Sequence, residues 1–328
     1  MKETLNWALV GTGGISNRFI IGLKAAGGRP FAAVSRTMEK ARDFAARHGV
    51  DKAYDDYDRM LEDPAVDVVY IGTPHTTHRD LSVRALKAGK AVLCEKPSVI
   101  NRKELEEILK TAKDNNRFFM EAMWNRFTPP LCKVREWLSQ SLIGEVKMVQ
   151  ANFGFSFPFN PASRVYDPEL GGGSILDAGI YPLALISMVF GGKKPESVKS
   201  QLYFGQTGVD EEAFVILSYG GNRLAYSASA VQTSMVNDAW IYGTIGKIHI
   251  PTFTFAHCAN LTIDNKYTYH YEPDYISNGY GYQTVEVTKC IRDGKIESPI
   301  MSWDESLVLM ETIDTIRGQW NYKYPCEK

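Results

Sequence analysis

Short apolar runs alternate with amphipathic stretches from the start of the chain to Met120, and this alternation constrains the fold most. The apolar runs are residues 5–10, 31–34, 66–71, 91–94 and 118–120, and the stretches with helical spacing are residues 18–26, 38–47, 79–88 and 103–115. Strands that are apolar without alternation are covered on both faces, which is typical of a parallel sheet flanked by helices. The order of strand, helix and strand implies right-handed crossovers. The pattern therefore predicts an α/β fold with a doubly wound parallel sheet.

From Gly144 onward the chain reads as aromatic-rich strands interrupted by a few helical stretches. The strand-like runs are residues 146–155, 198–204, 213–219, 223–230, 239–242 and 247–250, and the helical stretches are residues 175–190, 282–292 and 304–319. Glycine-rich turns at 219–222 and 243–246 are typical of hairpins. We therefore predict a C-terminal α+β domain built on a largely antiparallel open sheet with helices on one face.

The length of 328 residues is typical of two domains. We place the N-terminal domain at residues 1–122 and the C-terminal domain at residues 123–328. The boundary falls in the stretch 121–130, where Pro129-Pro130 is expected to stop regular structure.

Composition excludes several classes of protein. Lys plus Arg number 37 and Asp plus Glu number 38, and a chain with net charge −1 has no excess of positive charge with which to bind nucleic acid. No uninterrupted apolar run is long enough to span a bilayer, and no signal peptide precedes the first apolar run, so we expect no membrane association. The five cysteines are scattered, which favours reduced thiols and a cytoplasmic location. We expect no metal site, because His75 and His78 lack a nearby third ligand.

A glycine-rich turn, Gly11-Thr12-Gly13-Gly14-Ile15-Ser16, follows the first apolar run and opens the first helical stretch. In that context the spacing indicates a dinucleotide site of the Rossmann type. Gly11 permits a tight turn, and Gly13 lets the backbone approach a pyrophosphate at the positive end of the helix dipole. The third position is Ser16 instead of Gly or Ala, which is still small enough for close helix–strand packing. The turn, with Gly11, Gly13, Gly14 and Ile15, is our candidate cofactor loop.

The residues after the second run indicate which dinucleotide the protein prefers. An NAD site places an acid there for the ribose 2′-hydroxyl, whereas this chain has Ser35-Arg36-Thr37. A carboxylate would repel a 2′-phosphate, and an arginine fork suits phosphate geometry. We therefore predict NADP(H) as the cofactor, with NAD(H) as the alternative.

Two further motifs carry polar side chains suited to chemistry. Lys96, in Glu95-Lys96-Pro97, follows the fifth strand, at the sheet edge where doubly wound folds bind ligands. Its ammonium can give a proton to a carbonyl oxygen as hydride arrives, although Glu95 and Lys96 could equally form a surface ion pair. Asp177 and Tyr181 are four residues apart, so they share one face of a helix. On the residues alone they could also be a helix-terminal charge and a core tyrosine.

Together these motifs resemble the Gfo/Idh/MocA oxidoreductase family. The resemblance rests on five stretches, namely 11–16, Ser35-Arg36, Thr73-Pro74-His75-x-x-His78, Glu95-Lys96-Pro97 and 171–182. Residues 120–127 (MEAMWNRF) and 306–325 are similar to the branch of dimeric dihydrodiol dehydrogenases and NADP-dependent D-xylose 1-dehydrogenases. The match covers essentially the whole chain.

The resemblance implies roles for named positions. Lys96 matches the family's acid/base lysine, with a cis bond to Pro97, and Asp177 and Tyr181 complete the catalytic set. The positions implied to contact the cofactor are Thr73, Pro74, His75, His78, Glu95, Lys96 and Arg164. The positions implied to contact the substrate are Trp124, Phe155, Asp177 and Tyr181. Arg164 follows Ser163, whereas some sugar reductases carry a tryptophan before this arginine.

The resemblance implies an NADP(H)-dependent oxidoreductase acting on a carbon that bears a hydroxyl or carbonyl in a small sugar, polyol or cyclic diol. It also implies a homodimer through the C-terminal sheet, for which an aromatic cluster at 267–282 is a candidate surface. Two other functions occur in the family. One is a sugar sensor that binds NAD(P) without chemistry, and the other is an NAD-dependent glycosidase. The presence of Lys96, Asp177 and Tyr181 together favours the enzyme over the sensor, and the non-acidic Ser35-Arg36 disfavours the glycosidase.

Overall fold

The computed structural model describes residues 4–328. Contacts divide the chain into two compact units. The first comprises the chain up to Val99, Lys103–Phe127 and Tyr275–Trp303, and the second comprises Ile100–Arg102, Thr128–Asp274 and Asp304–Lys328. A unit of contacts is not by itself an independently folding domain, so the domain limits 1–122 and 123–328 stay a prediction.

The first unit is built on a six-stranded sheet of order β3-β2-β1-β4-β5-β6, in which all pairs are parallel. Its strands are β1 (Asn6–Val10), β2 (Arg29–Val34), β3 (Lys52–Tyr54), β4 (Val68–Ile71), β5 (Ala91–Glu95) and β6 (Phe119–Ala122). Its helices are α1 (Gly14–Ala25), α2 (Met38–His48), α3 (Tyr57–Leu61), α4 (His78–Lys87) and α5 (Arg102–Asp114), of which Arg102 belongs to the second unit. All four residues of β4 are buried, as expected of a strand covered on both faces. The predicted doubly wound parallel sheet is confirmed.

The second unit is built on an eight-stranded sheet of order β14-β13-β12-β11-β7-β10-β9-β8. Its strands are β7 (Val146–Gly154), β8 (Ser197–Phe204), β9 (Asp210–Ser218), β10 (Leu224–Ala230), β11 (Ala239–Gly243), β12 (Gly246–Ile250), β13 (Ala259–Ile263) and β14 (Tyr267–Tyr271). Every pair is antiparallel except β7 with β10. The predicted largely antiparallel sheet is therefore confirmed.

Helices α6 (Pro129–Ser139) and α7 (Ile180–Val189) belong to the second unit, and α7 packs on β7 and β10. The expectation that Pro129-Pro130 stops regular structure is wrong, because both prolines occupy the first turn of α6. A proline there loses nothing, since first-turn amides have no partner within the helix.

The last two helices are α8 (Gly281–Arg292), which packs on α1 within the first unit, and α9 (Trp303–Gly318), which from Asp304 onward belongs to the second. Glycines let α1 and α8 approach closely, because a Cβ on Gly22 would lie 2.6 Å from the amide nitrogen of Gly281.

One segment within residues 4–328 is long and apolar enough to cross a bilayer by length and composition, namely Pro168–Val189. Most of it is buried inside the second unit, which is typical of a core helix.

Candidate active site

The turn after β1 leaves open space in front of the first turn of α1. Gly11 has φ +92°, and a Cβ there would lie 2.7 Å from the carbonyl oxygen of Gly72, so the turn requires glycine. A Cβ on Gly13 or Gly14 would meet no atom within 4 Å. Gly13 caps α1 without a side-chain hydrogen bond, and the first turn carries no acid. The first amides of α1 are therefore available to a pyrophosphate, so these residues fit the dinucleotide that the turn predicts.

The packing around Ser16 explains why position 16 must hold a small residue. Its side chain is buried, and a Cβ on Gly72 at the end of β4 would lie 2.7 Å from its hydroxyl oxygen. Ile15 is half-buried in the same turn of α1. The packing of α1 against the end of β4 thus tolerates serine where the strict pattern has glycine or alanine.

The end of β2 offers a phosphate site next to this turn. The Ser35 hydroxyl lies 3.3 Å from the Thr12 hydroxyl, which joins the turn after β2 to the turn after β1. Arg36 is exposed, and within residues 4–328 no side chain forms an ion pair with it. A hydroxyl and an arginine fork without an acid fit a 2′-phosphate better than a 2′-hydroxyl.

The loop between β4 and α4 is tied to the loop after β5 by a buried histidine. The two ring nitrogens of His78 lie 2.8 Å from the carbonyl oxygens of Thr73 and Pro97. Burial lowers the pKa of His78, and the charge of Lys96 acts in the same direction. The neutral ring has one N–H and donates to one carbonyl at a time. His75 is also buried, with its ring centroid 5.8 Å from that of His78, and Pro74 precedes it.

Lys96 is the first residue after β5, and its bond to Pro97 is cis, as the resemblance implies. Glu95 points into the unit, where it is 5% exposed and accepts a hydrogen bond of 2.7 Å from the Tyr70 hydroxyl. Glu95 is therefore not at the surface, where the alternative of a surface ion pair would place it. On the other side of Pro97, the Ser98 amide donates to the Glu121 carboxylate at 2.9 Å. Lys96 is half-buried and is thus held by anchored residues on both sides.

Trp124 is buried within the first unit. Its ring stacks on Tyr280 with centroids 4.4 Å apart, and Gly279, at φ +84°, lies against it. Its role as a wall of the substrate pocket stays a prediction.

In the second unit, Asp177 and Tyr181 lie on an irregular helix. Ile175–Gly179 forms a π-helical turn that continues into α7. Pro182 has no N–H for the carbonyl of Ala178, which is consistent with a widened turn. The predicted helical stretch over 175–190 is therefore confirmed, and its first turn is π-helical.

The carboxylate of Asp177 is 5% exposed and forms an ion pair with Arg164 at 3.0 Å. The structure thus places Arg164, predicted near the cofactor, beside a predicted catalytic residue. Tyr181 is buried, with its ring perpendicular to that of Phe153 at 5.6 Å. Phe155 is half-buried and packs against Val165, Tyr166 and Val231. Arg164, Asp177, Tyr181 and Phe155 belong to the second unit and Lys96 to the first, so their approach to one another stays a prediction.

The sequence analysis missed one residue beside this helix, the buried Asp210, which accepts a hydrogen bond from the Ile175 amide at 2.6 Å. The only signal was an acid just before a predicted strand, which does not indicate a contact with a helix terminus.

The parallel sheet, the open glycine turn and the lysine after β5 define a dinucleotide-binding α/β protein with a second α+β unit. A family model described as "Oxidoreductase family, NAD-binding Rossmann fold" matches residues 5–123, and one described as "GFO/IDH/MocA C-terminal domain" matches residues 131–249. The chain belongs to the Gfo/Idh/MocA oxidoreductase family, as its motifs predict.

Among curated proteins, the chain is similar to the trans-1,2-dihydrobenzene-1,2-diol dehydrogenase of Xenopus laevis, with 39% identity over 97% of this chain and 99% of that protein. The enzyme of the same name from Sus scrofa is 35% identical over 99% of each chain. The similarity confirms that the protein is an oxidoreductase with an NAD(P)-binding domain.

Solved structures with a similar fold include an oxidoreductase and a reductase. An aldose–aldose oxidoreductase from Caulobacter crescentus, complexed with glycerol, has a TM-score of 0.87 and 26% identity, covering 96% of this chain and 97% of that one. A 3-ketoreductase from Actinomadura kijaniata, in complex with NADP and TDP-benzene, has a TM-score of 0.85 and 22% identity over 96% and 98%. At that identity the second structure supports the fold alone.

Proposed function

We propose that the protein is an NADP(H)-dependent oxidoreductase that interconverts a hydroxyl and a carbonyl group on a small sugar, polyol or cyclic diol. The observation that carries the proposal is the placement of Lys96 and the glycine turn at the same edge of one sheet. Only β4 separates β1 from β5, so at the usual strand spacing their carboxyl ends lie about 10 Å apart. The substrate class is supported by relatives named as dihydrodiol and aldose oxidoreductases, whose substrates carry neighbouring hydroxyl groups.

In this proposal the nicotinamide, when bound, supplies or accepts the hydride. Lys96 gives a proton to the carbonyl oxygen during reduction and takes it back during oxidation. Asp177, held by Arg164, accepts a hydrogen bond from a substrate hydroxyl, and Tyr181 offers a second polar contact. Ser35 and Arg36 bind the 2′-phosphate of the cofactor.

The exposed face of the second unit's sheet supports a homodimer. The side chains of β9 alternate between buried and exposed, and Phe214 and Ile216 are 57% and 56% exposed. Ile216 lies opposite Tyr226 on β10, and Leu224 lies opposite Met148 on β7, which extends the same face. All of these side chains are apolar or aromatic and exposed, as is typical of an interface. The same patch on a second copy would cover it.

The aromatic cluster divides between the units. Tyr267 and Tyr269 lie on exposed β14, whereas Tyr280 is buried against Trp124 in the first unit. The cluster is thus not one surface, and the proposed dimer rests on the face of β7, β9 and β10. We also propose that the enzyme works in the cytoplasm, where buried thiols such as those of Cys94 and Cys290 stay reduced.

The experiment is a steady-state assay of the purified protein against aldoses, polyols and cyclic diols with both dinucleotides, comparing wild type with Lys96→Ala. The variant should lose turnover by ~10²–10⁴-fold while NADPH binding, measured by fluorescence titration, is unchanged. The matched control is Lys87→Ala, at an exposed lysine of α4 in the same unit, which should keep wild-type turnover.

Three outcomes would contradict the proposal. Dinucleotide binding without turnover of any substrate would support the sensor. Glycoside cleavage without net change in reduced nicotinamide would support the glycosidase. Wild-type turnover in Lys96→Ala would remove Lys96 from the chemistry.

A further inference from the structure

The glycine-rich segment before Asp177 contacts Asp210, the first residue of β9. The carboxylate of Asp210 accepts a hydrogen bond of 2.6 Å from the Ile175 amide in the π-helical turn. A Cβ on Gly173 would collide with the other oxygen of this carboxylate, so only glycine allows the approach. Asp210 is 1% exposed, and the contact is therefore sealed from water.

Two neutral contacts hold the same segment. The Ser174 hydroxyl donates to the Ser229 hydroxyl at 2.7 Å, and the Tyr324 hydroxyl donates to the carbonyl oxygen of Gly172 at 2.7 Å. The pKa of Tyr324 is raised well above its usual range by burial, so this phenol stays neutral. Asp210 is thus the one of these three supports whose charge changes near neutral pH.

The charged surroundings of Asp210 come from the end of the chain. Arg317 of α9 faces it and is itself paired with Glu327 at 2.6 Å and Asp314 at 2.9 Å. The phenols of Tyr322 and Tyr324 also face it. Burial raises the pKa of Asp210 to about 7, although the Ile175 amide and the charge of Arg317 favour the ionised form.

We propose that Asp210 is a positioning residue of the active site, whose carboxylate fixes the Ile175 amide and thereby the place of Asp177 and Tyr181. This rests on the proposed function, in which Asp177 and Tyr181 contact the substrate. An ionised carboxylate is the stronger acceptor for this amide, and its charge is favourable at a helix N-terminus. A protonated Asp210 holds the turn less firmly. Turnover should therefore rise as pH rises through the neutral range, while cofactor binding by the first unit is unaffected.

The test compares Asp210→Asn with Tyr324→Phe in the full-length enzyme, measuring kcat and KM from about pH 6 to about pH 8. Asn can still accept a hydrogen bond from the Ile175 amide but cannot ionise. Tyr324→Phe removes a neutral contact to the same segment. In wild type and Tyr324→Phe, kcat should rise about tenfold across this range, whereas in Asp210→Asn it should stay flat and near the acidic wild-type value. NADPH affinity should be the same in all three.

A wild-type pH profile in Asp210→Asn, or equal profiles in the two variants, would overturn the proposal. Hydrogen exchange on the wild-type protein gives a second measurement that needs no variant and no turnover. The relevant exchange occurs through a local opening that breaks the Ile175–Asp210 hydrogen bond while Asp210 stays buried, so its pH dependence is opposite in sign to that of global unfolding. After correction for intrinsic rates, protection of residues 171–181 against this opening should increase about tenfold from about pH 6 to about pH 8, while protection of α5 stays constant. Unchanged protection would also overturn the proposal. Because this readout does not involve Lys96, it separates failure here from failure of the proposed function.

Discussion

At the scale of single residues, the proposed choice of dinucleotide depends on two side chains after β2. Ser35 is linked to the glycine turn through Thr12, and Arg36 extends into solvent. A carboxylate at this place would accept a hydrogen bond from the ribose 2′-hydroxyl of NAD. Ser35 and Arg36 instead offer hydrogen-bond donors to the 2′-phosphate of NADP. The proposed preference for NADP is therefore a local property, which substitution should reverse without changing the fold.

The double variant Ser35→Asp with Arg36→Ala should lower the ratio of kcat/KM for NADP to that for NAD by about 10²-fold. The loss of a charge-assisted hydrogen bond and the new repulsion of the phosphate both act in this direction. The ratio is measured by steady-state kinetics with each cofactor. Arg42→Ala, at an exposed arginine of α2, is the control and should leave the ratio unchanged. An unchanged ratio in the double variant would mean that the 2′-phosphate binds elsewhere.

At the scale of helices and strands, the sequence predicts those elements whose burial pattern is visible in neighbouring residues. Strand β4 was recognisable because a strand covered on both faces is apolar throughout, and α2 because its apolar residues repeat at helical spacing. The short elements β3 and α3 were missed because three to five residues show no period. The π-helical turn was not predicted, because hydrophobic periodicity is judged against the 3.6-residue repeat of a regular α-helix. Pro182 is a signal that could have indicated it.

The residues of the candidate site likewise divide into those that the sequence predicts and those that it does not. Residues in motifs, such as Gly11, Lys96 and Asp177, could be named from the sequence because their neighbours along the chain determine their surroundings. Asp210 and Tyr324 could not, because each contacts a segment far away along the chain. The contact between Asp210 and the start of the helix depends on the order of strands in the sheet. The order β7-β10-β9 was not predictable from the sequence.

The same buried carboxyl predicts how stability depends on pH. The pKa of Asp210 rises from 3.8 in the unfolded chain to about 7 in the folded one. The folded state thus binds the proton more tightly, and this contribution to stability is fully present below about pH 4 and is lost as pH rises to about 7. The loss is about 4 kcal/mol at most, since each unit of pKa corresponds to about 1.4 kcal/mol.

Asp210→Asn should abolish this part of the pH dependence. The free energy of unfolding, from urea titrations at several pH values, should then decline less from about pH 4 to about pH 7 than in wild type. Tyr324→Phe should instead lower it by about 1 kcal/mol at every pH, because the lost hydrogen bond is neutral. Parallel curves for wild type and Asp210→Asn would show that Asp210 does not titrate in this range.

At the scale of the whole molecule, the apolar sheet face predicts the state of assembly. Tyr203, Phe214, Ile216 and Tyr226 lie on neighbouring strands β8, β9 and β10, and each is at least 38% exposed. A patch of this kind on a monomer promotes association, and a two-fold interface brings equivalent patches together. With a net charge of −1, the chain has little overall charge to oppose association.

Ile216→Glu should convert the proposed dimer to a monomer, because each partner would then bury a carboxylate against aromatic side chains of the other. Sedimentation velocity at micromolar concentration gives the mass. Val285→Glu introduces the same charge at an exposed position of α8, outside the sheet, and should leave the dimer intact. A monomeric wild type, or a dimeric Ile216→Glu variant, would show that this face does not form the interface. The glycine turn and Ser35-Arg36 belong to the first unit and Ile216 to the second, so NADPH binding by the monomeric variant tests whether dimerisation is needed for cofactor binding.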